Sequence, residues 1–189
     1  MEESQWIQKM QQGDDTAFFM IYEKYKNPAL RTAYLITGNR DTAEDILQET
    51  FVQCCLHISE LKDPNTFKAW FYKILTRTAW KFAQKEKNTV PIENVFETIK
   101  DSFEEDSEKT LLEKEESKKL MEAINTLDVK KRTTVILYYY NQMSVTEIAK
   151  VTASLEGTVK SRLFFARQKL YQKLKTDAFF KGRVCEKNG

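Results

Sequence analysis

The chain is poor in residues that break helices or bind metals. Five glycines and three prolines in 189 residues are too few turn-formers for the many short connections of a sandwich or barrel, so a helix-rich fold is expected. The single histidine, His57, has no cysteine or carboxylate cluster at ligand spacing, which argues against a zinc site. Three cysteines are an odd number and Cys54 and Cys55 are adjacent, a poor basis for a disulfide framework. They read as reduced thiols, half-buried in a helix. No apolar run reaches the about 20 residues needed to cross a bilayer, and the opening residues Met1 to Gln5 are acidic and polar rather than basic as in a signal peptide. A cytoplasmic location follows as an expectation. No Gly-rich phosphate loop, nucleophile elbow or fixed pair of carboxylates is present, so neither a cofactor nor enzymatic activity is expected.

What the chain does have is charge, segregated along its length. The net charge of +2 conceals four blocks. Residues 1–61 carry five cations against ten anions, 62–90 seven against two, 91–122 five against eleven, and 123–189 thirteen against five. Two basic blocks can neutralise phosphates at two places, while the acidic block between them is repelled from nucleic acid.

Apolar spacing places helices within these blocks. Asp14 or Asp15 caps a helix bearing Phe18, Ile21, Tyr22, Tyr25 and Ala29, which Pro28 is expected to disturb and Gly38 to end. Asp41 and Glu44 form a candidate capping box for the next helix, with Ile46, Leu47, Thr50, Phe51, Cys54 and Ile58 on its apolar positions. Asp63-Pro64 starts a third, whose Phe67, Phe71, Ile74, Thr78 and Phe82 share one face. Another face of it carries Trp70, Lys73, Arg77 and Lys81, aromatic and cationic groups together. From about 89 to 107 periodicity fades and acids accumulate, which reads as a flexible acidic linker. The expected architecture is all-α: a first domain over 1–88, the linker over 89–107, and a second domain over 108–189.

Residues 144–174 read as a helix-turn-helix. Ser144 and Glu147 form a capping box, Thr152 and Ala153 a tight turn, and Ser154 the cap of a second helix with a Leu155, Val159, Leu163, Ala166, Leu170 core stripe. Its other faces carry Glu156, Thr158, Lys160, Ser161, Arg162, Phe165 and Arg167, a donor-rich set suited to a major groove. Gly157, costly within a helix, implies close approach of a packed neighbour or of DNA backbone. An amphipathic hairpin with a solvated basic face has the same periodicity, but the caps and basic excess favour DNA binding.

The run Ser144-Val-Thr-Glu-Ile-Ala-Lys150 with Ser154-Leu-Glu-Gly-Thr-Val-Lys-Ser-Arg-Leu-Phe-Phe-Ala-Arg167 resembles the fourth conserved domain of extracytoplasmic-function sigma factors. Ala43-Glu-Asp-Ile-Leu-Gln-Glu-Thr-Phe51, preceded by Gly13-Asp-Asp-Thr-Ala-Phe18 and followed by Phe67-Lys-Ala-Trp-Phe-Tyr-Lys-Ile74, resembles their second domain, in the right order. The resemblance implies a factor that binds core RNA polymerase and directs it to promoter DNA. It implies that Asp45, Gln48, Glu49 and Phe51 dock on a coiled coil of the polymerase's largest subunit. It implies that Asn65, Trp70, Lys73, Arg77 and Lys81 engage melted DNA at the minus-ten element, with core packing the alternative for Trp70. The second helix of the helix-turn-helix would read the minus-thirty-five element, and an anti-sigma factor is an expected partner. Cys55, Arg77, Lys81 and Thr152 depart from the family pattern, which bears on promoter preference. A self-sufficient homodimeric helix-turn-helix regulator, dimerising through residues 111–127, is the rival reading.

Overall fold

The computed structural model describes residues 2–86 and 111–175, and every described element is helical. The expected acidic linker lies outside the described residues. Four helices precede it: α1 (Glu3–Gln11), α2 (Asp15–Thr37), α3 (Arg40–His57) and α4 (Phe67–Glu86). Four follow: α5 (Leu111–Asn125), α6 (Val129–Tyr139), α7 (Val145–Val151) and α8 (Glu156–Lys175). Two short 3-10 turns, Ile58–Glu60 and Pro64–Thr66, connect α3 to α4.

The first bundle closes around aromatic rings. Tyr25 meets Phe67 and Phe71 at 5.3 and 5.1 Å between centroids, and Phe51 meets Phe71 at 5.2 Å. Asp14 caps α2 by accepting from the Ala17 amide at 3.0 Å, and Gly38 ends it at φ +77°, a conformation glycine adopts without a Cβ penalty. The helix runs continuously through Pro28. The cap of α3 differs from expectation. Asn39, not Asp41, takes the position, accepting from the Thr42 amide at 2.9 Å, and Asp41 falls in the first turn where it faces the helix dipole. Cys54 is buried, and burial pushes its thiol up to about 12, so it serves as a small apolar core group; Cys55 is exposed.

In the second bundle α6, α7 and α8 pack together, and α5 lies on α8. Asp128 caps α6 by accepting from the Lys131 amide at 3.0 Å. The α7 capping box forms as expected: the Glu147 carboxylate accepts from the Ser144 amide at 2.8 Å, and the Ser144 hydroxyl accepts from the Glu147 amide at 3.2 Å. Those hydrogen bonds to Ser144 hold the Glu147 carboxyl below its ordinary range. After α7 the chain turns through Thr152 and Ala153, with Ala153 at φ +47°. Two details of α8 depart from the sequence reading. Ser154 does not cap it; its hydroxyl donates to the Thr152 carbonyl at 3.2 Å and accepts from Arg162 Nη1 at 3.0 Å. Leu155, placed by its spacing in the core stripe, is 79% exposed because it precedes the first helical turn.

The bundles pack against each other, α4 on α7 and α2 on α6. Arg132 of α6 ties the last turn of α2 to the connection between α5 and α6, donating to the Ile36 carbonyl at 2.9 Å, the Asn125 carbonyl at 2.7 Å and the Leu127 carbonyl at 3.1 Å. Burial lowers its pKa, the usual response of a cation to desolvation.

Candidate nucleic-acid and polymerase interfaces

Helix α3 presents a mixed face to solvent. Asp45 and Gln48 are exposed, Glu49 is half-buried and accepts from Gln53 at 3.0 Å, and Val52, Cys55 and Leu56 continue the same face. Phe51 behaves otherwise. At 5% exposure it belongs to the aromatic core with Tyr22 and Phe71, so it can form the floor of a contact but not project into a partner. A groove of about 540 Å³ runs between α2 and α3, lined by Phe18, Tyr22, Leu47, Gln48, Val52 and Leu56 among others. Sequence reasoning overlooked Val52 and Leu56. Their signal was available, since they fall seven and eleven residues after Asp45 and oppose the buried Ile46, Thr50 and Cys54.

Helix α4 carries the second set. Arg77 and Lys81 are exposed, Trp70 and Lys73 half-buried, and all four lie at helical spacing on one flank, so the face anticipated from sequence exists. Trp70 also leans on Phe67 at 5.9 Å, so it shares in packing while keeping an accessible edge. Asn65 sits in the preceding 3-10 turn, its amide and side chain both donating to Asp63 Oδ1 at 3.0 Å, which fixes its orientation at the head of α4.

On α8 the exposed residues include Glu156, Thr158, Lys160, Ser161, Phe164, Phe165 and Arg167. They divide by what holds them. Glu156 accepts from the Thr146 hydroxyl at 2.7 Å and links the two helices of the motif. Arg162 is half-buried and committed to the turn through Ser154. Arg167 lies 5.6 Å from each of the Tyr138 and Tyr139 rings, and its Nε donates to the Tyr139 hydroxyl at 2.7 Å. Phe164, 62% exposed and four residues after Lys160, was also overlooked; the helical spacing from Lys160 and Ser161 was its signal. A Cβ on Gly157 would meet nothing within 4 Å, so a packed neighbour does not explain that glycine.

The same segments match known proteins. Residues 21–89 match the family model "Sigma-70 region 2" and residues 117–170 match "Sigma-70, region 4". RNA polymerase sigma factor SigV of Bacillus subtilis is 32% identical over 142 residues, covering 75% of this chain and 81% of the relative. The chain belongs to the extracytoplasmic-function sigma factors of the sigma-70 family. SigW of the same organism, named as such a factor, is 28% identical over 180 residues, 89% of this chain and 95% of its own length. Among solved structures, CnrH in complex with the cytosolic domain of CnrY superposes with a TM-score of 0.71 at 19% identity, over 93% of this chain and 99% of that one. RpoE of Bartonella quintana, in complex with the anti-sigma factor NepR, gives 0.62 at 25% identity, over 79% and 92%.

This sigma factor therefore directs RNA polymerase in promoter recognition and transcription initiation, and it is not an enzyme. The rival regulator reading gives way to the family match, and the α5 segment offered for dimerisation packs on α8. Among the described residues no group of three or more His, Cys, Asp or Glu could hold a metal ion; His57 is exposed and pairs with Glu60 at 2.7 Å. No described helix is long and apolar enough to cross a membrane.

Proposed function

We propose that the three surfaces divide the work of initiation. The α3 face, with Asp45, Gln48 and Glu49 supplying polar contacts and Val52 and Leu56 apolar ones over the Phe51 floor, docks on a coiled coil of the polymerase's largest subunit. The α4 flank takes the unpaired strand at the minus-ten element. Trp70 supplies a stacking surface, Lys73, Arg77 and Lys81 neutralise phosphates, and Asn65 offers a base-edge donor and acceptor. Helix α8 enters the major groove at the minus-thirty-five element, with Thr158, Ser161 and Phe165 toward bases and Lys160 and Arg167 toward phosphate. Glu156 and Arg162 hold the motif in shape.

The observation that carries this reading is the presence of cations beside accessible aromatic rings on two different bundles, with a third face that is acidic and apolar. The functional boundaries are 1–88 for the first domain, 89–107 for the linker and 108–189 for the second. An anti-sigma factor is the expected restraint, as the RpoE complex with NepR illustrates for that protein. The site of action is the cytoplasm, where the polymerase works. Run-off transcription with purified core polymerase, with and without this chain, tests the proposal. Promoter-dependent transcript only in its presence supports it; tight binding to duplex with no effect on initiation overturns it.

A further inference from the structure

The connection between α3 and α4 carries Asn65, and its two halves are held in different ways. The outer half is self-contained. Asp63 Oδ1 accepts from the Asn65 amide and from Asn65 Nδ2, each at 3.0 Å. The Asp63 carbonyl accepts from the Thr66 amide at 3.0 Å and from the Thr66 hydroxyl at 2.8 Å. A carboxylate only accepts, so Asn65 must turn its side-chain nitrogen to Asp63 and its carbonyl oxygen away. Asn65 is exposed, which leaves that oxygen and the second amide hydrogen for a base edge.

The inner half is held from another helix. Gln11, half-buried at the end of α1, donates from Nε2 to the Ile58 carbonyl at 3.0 Å and to the Leu61 carbonyl at 2.7 Å. An amide nitrogen has two hydrogens and both targets only accept, so the pair uses the full donor capacity of Gln11 and fixes which way its amide faces. Gln11 itself has a firm base. Ile7 and Met10 bury α1 in the first bundle, the Gly13 and Asp14 amides close its end on the Met10 and Lys9 carbonyls at 3.1 Å, and the Tyr25 hydroxyl donates to Glu3 near its start at 2.9 Å. Lys62, Asp63, Asn65 and Thr66 are all exposed. The outer half therefore takes its position from where the chain enters, at the buried Leu61, and where it leaves, at the buried Phe67. Helix α1 lies ahead of residues 21–89, the segment that matches the family model.

We propose that Gln11 is a positioning residue for base recognition at the minus-ten element: through its two hydrogen bonds α1 sets the pose in which Asn65 meets the unpaired strand. Gln11 acts through the connection and does not touch DNA. The inference rests on the reading of Asn65 as a base-edge contact. One hydrogen bond is worth a factor of about two to twelve in an equilibrium. Without the pair the connection leaves the recognition pose more often, and apparent affinity for the preferred base falls with the fraction that keeps it. A base that Asn65 does not bond gains nothing from the pose, so the preference between bases falls and not only the total yield.

The test uses the full chain with core polymerase, on a promoter that the unaltered chain transcribes and on versions of it with each minus-ten base substituted in turn. Gln11→Met and Gln11→Glu keep the length of the side chain and, at about pH 8, offer no donor. Circular dichroism and surface plasmon resonance on immobilised core establish that both fold and bind polymerase. Asn65→Ala is expected to lower the preference at one minus-ten position about fivefold or more. Each Gln11 variant should lower it at that same position about threefold or more, and Gln11→Met combined with Asn65→Ala no further than Asn65→Ala alone. Unaltered preference in both Gln11 variants, while Asn65→Ala lowers it, overturns the positioning role and leaves Asn65 as the reader. An equal further loss on the Asn65→Ala background shows action independent of Asn65 and also overturns it. Loss of core binding by both Gln11 variants does the same, because it makes Gln11 a general support of the bundle. Unaltered preference in Asn65→Ala overturns the base contact itself, and the positioning role with it.

Discussion

Removing single cations from α8 should separate those that meet DNA from those that shape the motif. Lys160 is exposed on the same flank as Arg167, and Arg167 is itself exposed beside the Tyr138 and Tyr139 rings, its Nε on the Tyr139 hydroxyl. Arg162 instead spends its guanidinium on Ser154. A side chain that neutralises one phosphate contributes about 0.9 to the slope of log affinity against log salt, and its removal should lower the slope by that amount. For Lys160→Ala with Arg167→Ala the expected change is about 1.8, so between 50 and 200 mM salt the double variant should lose about twelvefold less affinity than the parent. Arg162→Ala should weaken binding through the turn while leaving the slope within about 0.3 of the parent. The assay is filter binding of the polymerase complex to a promoter fragment at five salt concentrations, read as differences between variants. An unchanged slope for the double variant, or an Arg162→Ala slope reduced by a full phosphate's worth, would refute this assignment.

Three further outcomes follow from the same geometry. Val52→Asp places a charge in the apolar groove and should weaken core polymerase binding about tenfold or more, whereas Gln53→Ala should not, by surface plasmon resonance on immobilised core. Trp70→Ala should reduce strand opening, read by permanganate footprinting, by the equivalent of about 1–3 kcal/mol of stacking, while minus-thirty-five duplex binding stays level; unchanged opening with only a lower melting temperature would assign Trp70 to the core. Glu147 has a lowered pKa, so its capping contribution is complete above its unfolded value of about 4.3 and fades as pH falls through its folded value. Glu147→Gln should accordingly be less stable than the parent in urea at pH 7, with the gap closing toward pH 3; a gap independent of pH would show that the charge contributes nothing.

Much of this was legible from residue order, for reasons that differ by element. Local signals survived: the Ser144 and Glu147 box, the Asp14 cap and the apolar face of α4 depend on neighbours three and four positions away, and all three formed. Failures came where two local solutions compete. Asn39 and Asp41 can each start α3, and the chain leaving Gly38 in a left-handed turn delivers Asn39 to the cap. Ser154 could cap α8, but Arg162 reaches back to its hydroxyl and the helix starts two residues later. The α4 flank was found because its cations and tryptophan contrast with the buried Phe67 and Phe71, whereas Val52, Leu56 and Phe164 are apolar and so do not stand out as surface residues, although their spacing sets them off the buried stripes. The contact between the bundles was invisible because Thr32 and Asn141 are ordinary polar residues 109 positions apart. No periodicity relates them, and only the packing of α2 and α4 on the second bundle gives either a meaning.

The most direct test of the central claim varies the distance between the two promoter elements. With core polymerase and this sigma factor, run-off transcription should peak at one spacer length and fall by an order of magnitude or more when five base pairs, about half a turn of duplex, are inserted between the elements. Transcription indifferent to that insertion would contradict two separate surfaces acting together on one promoter.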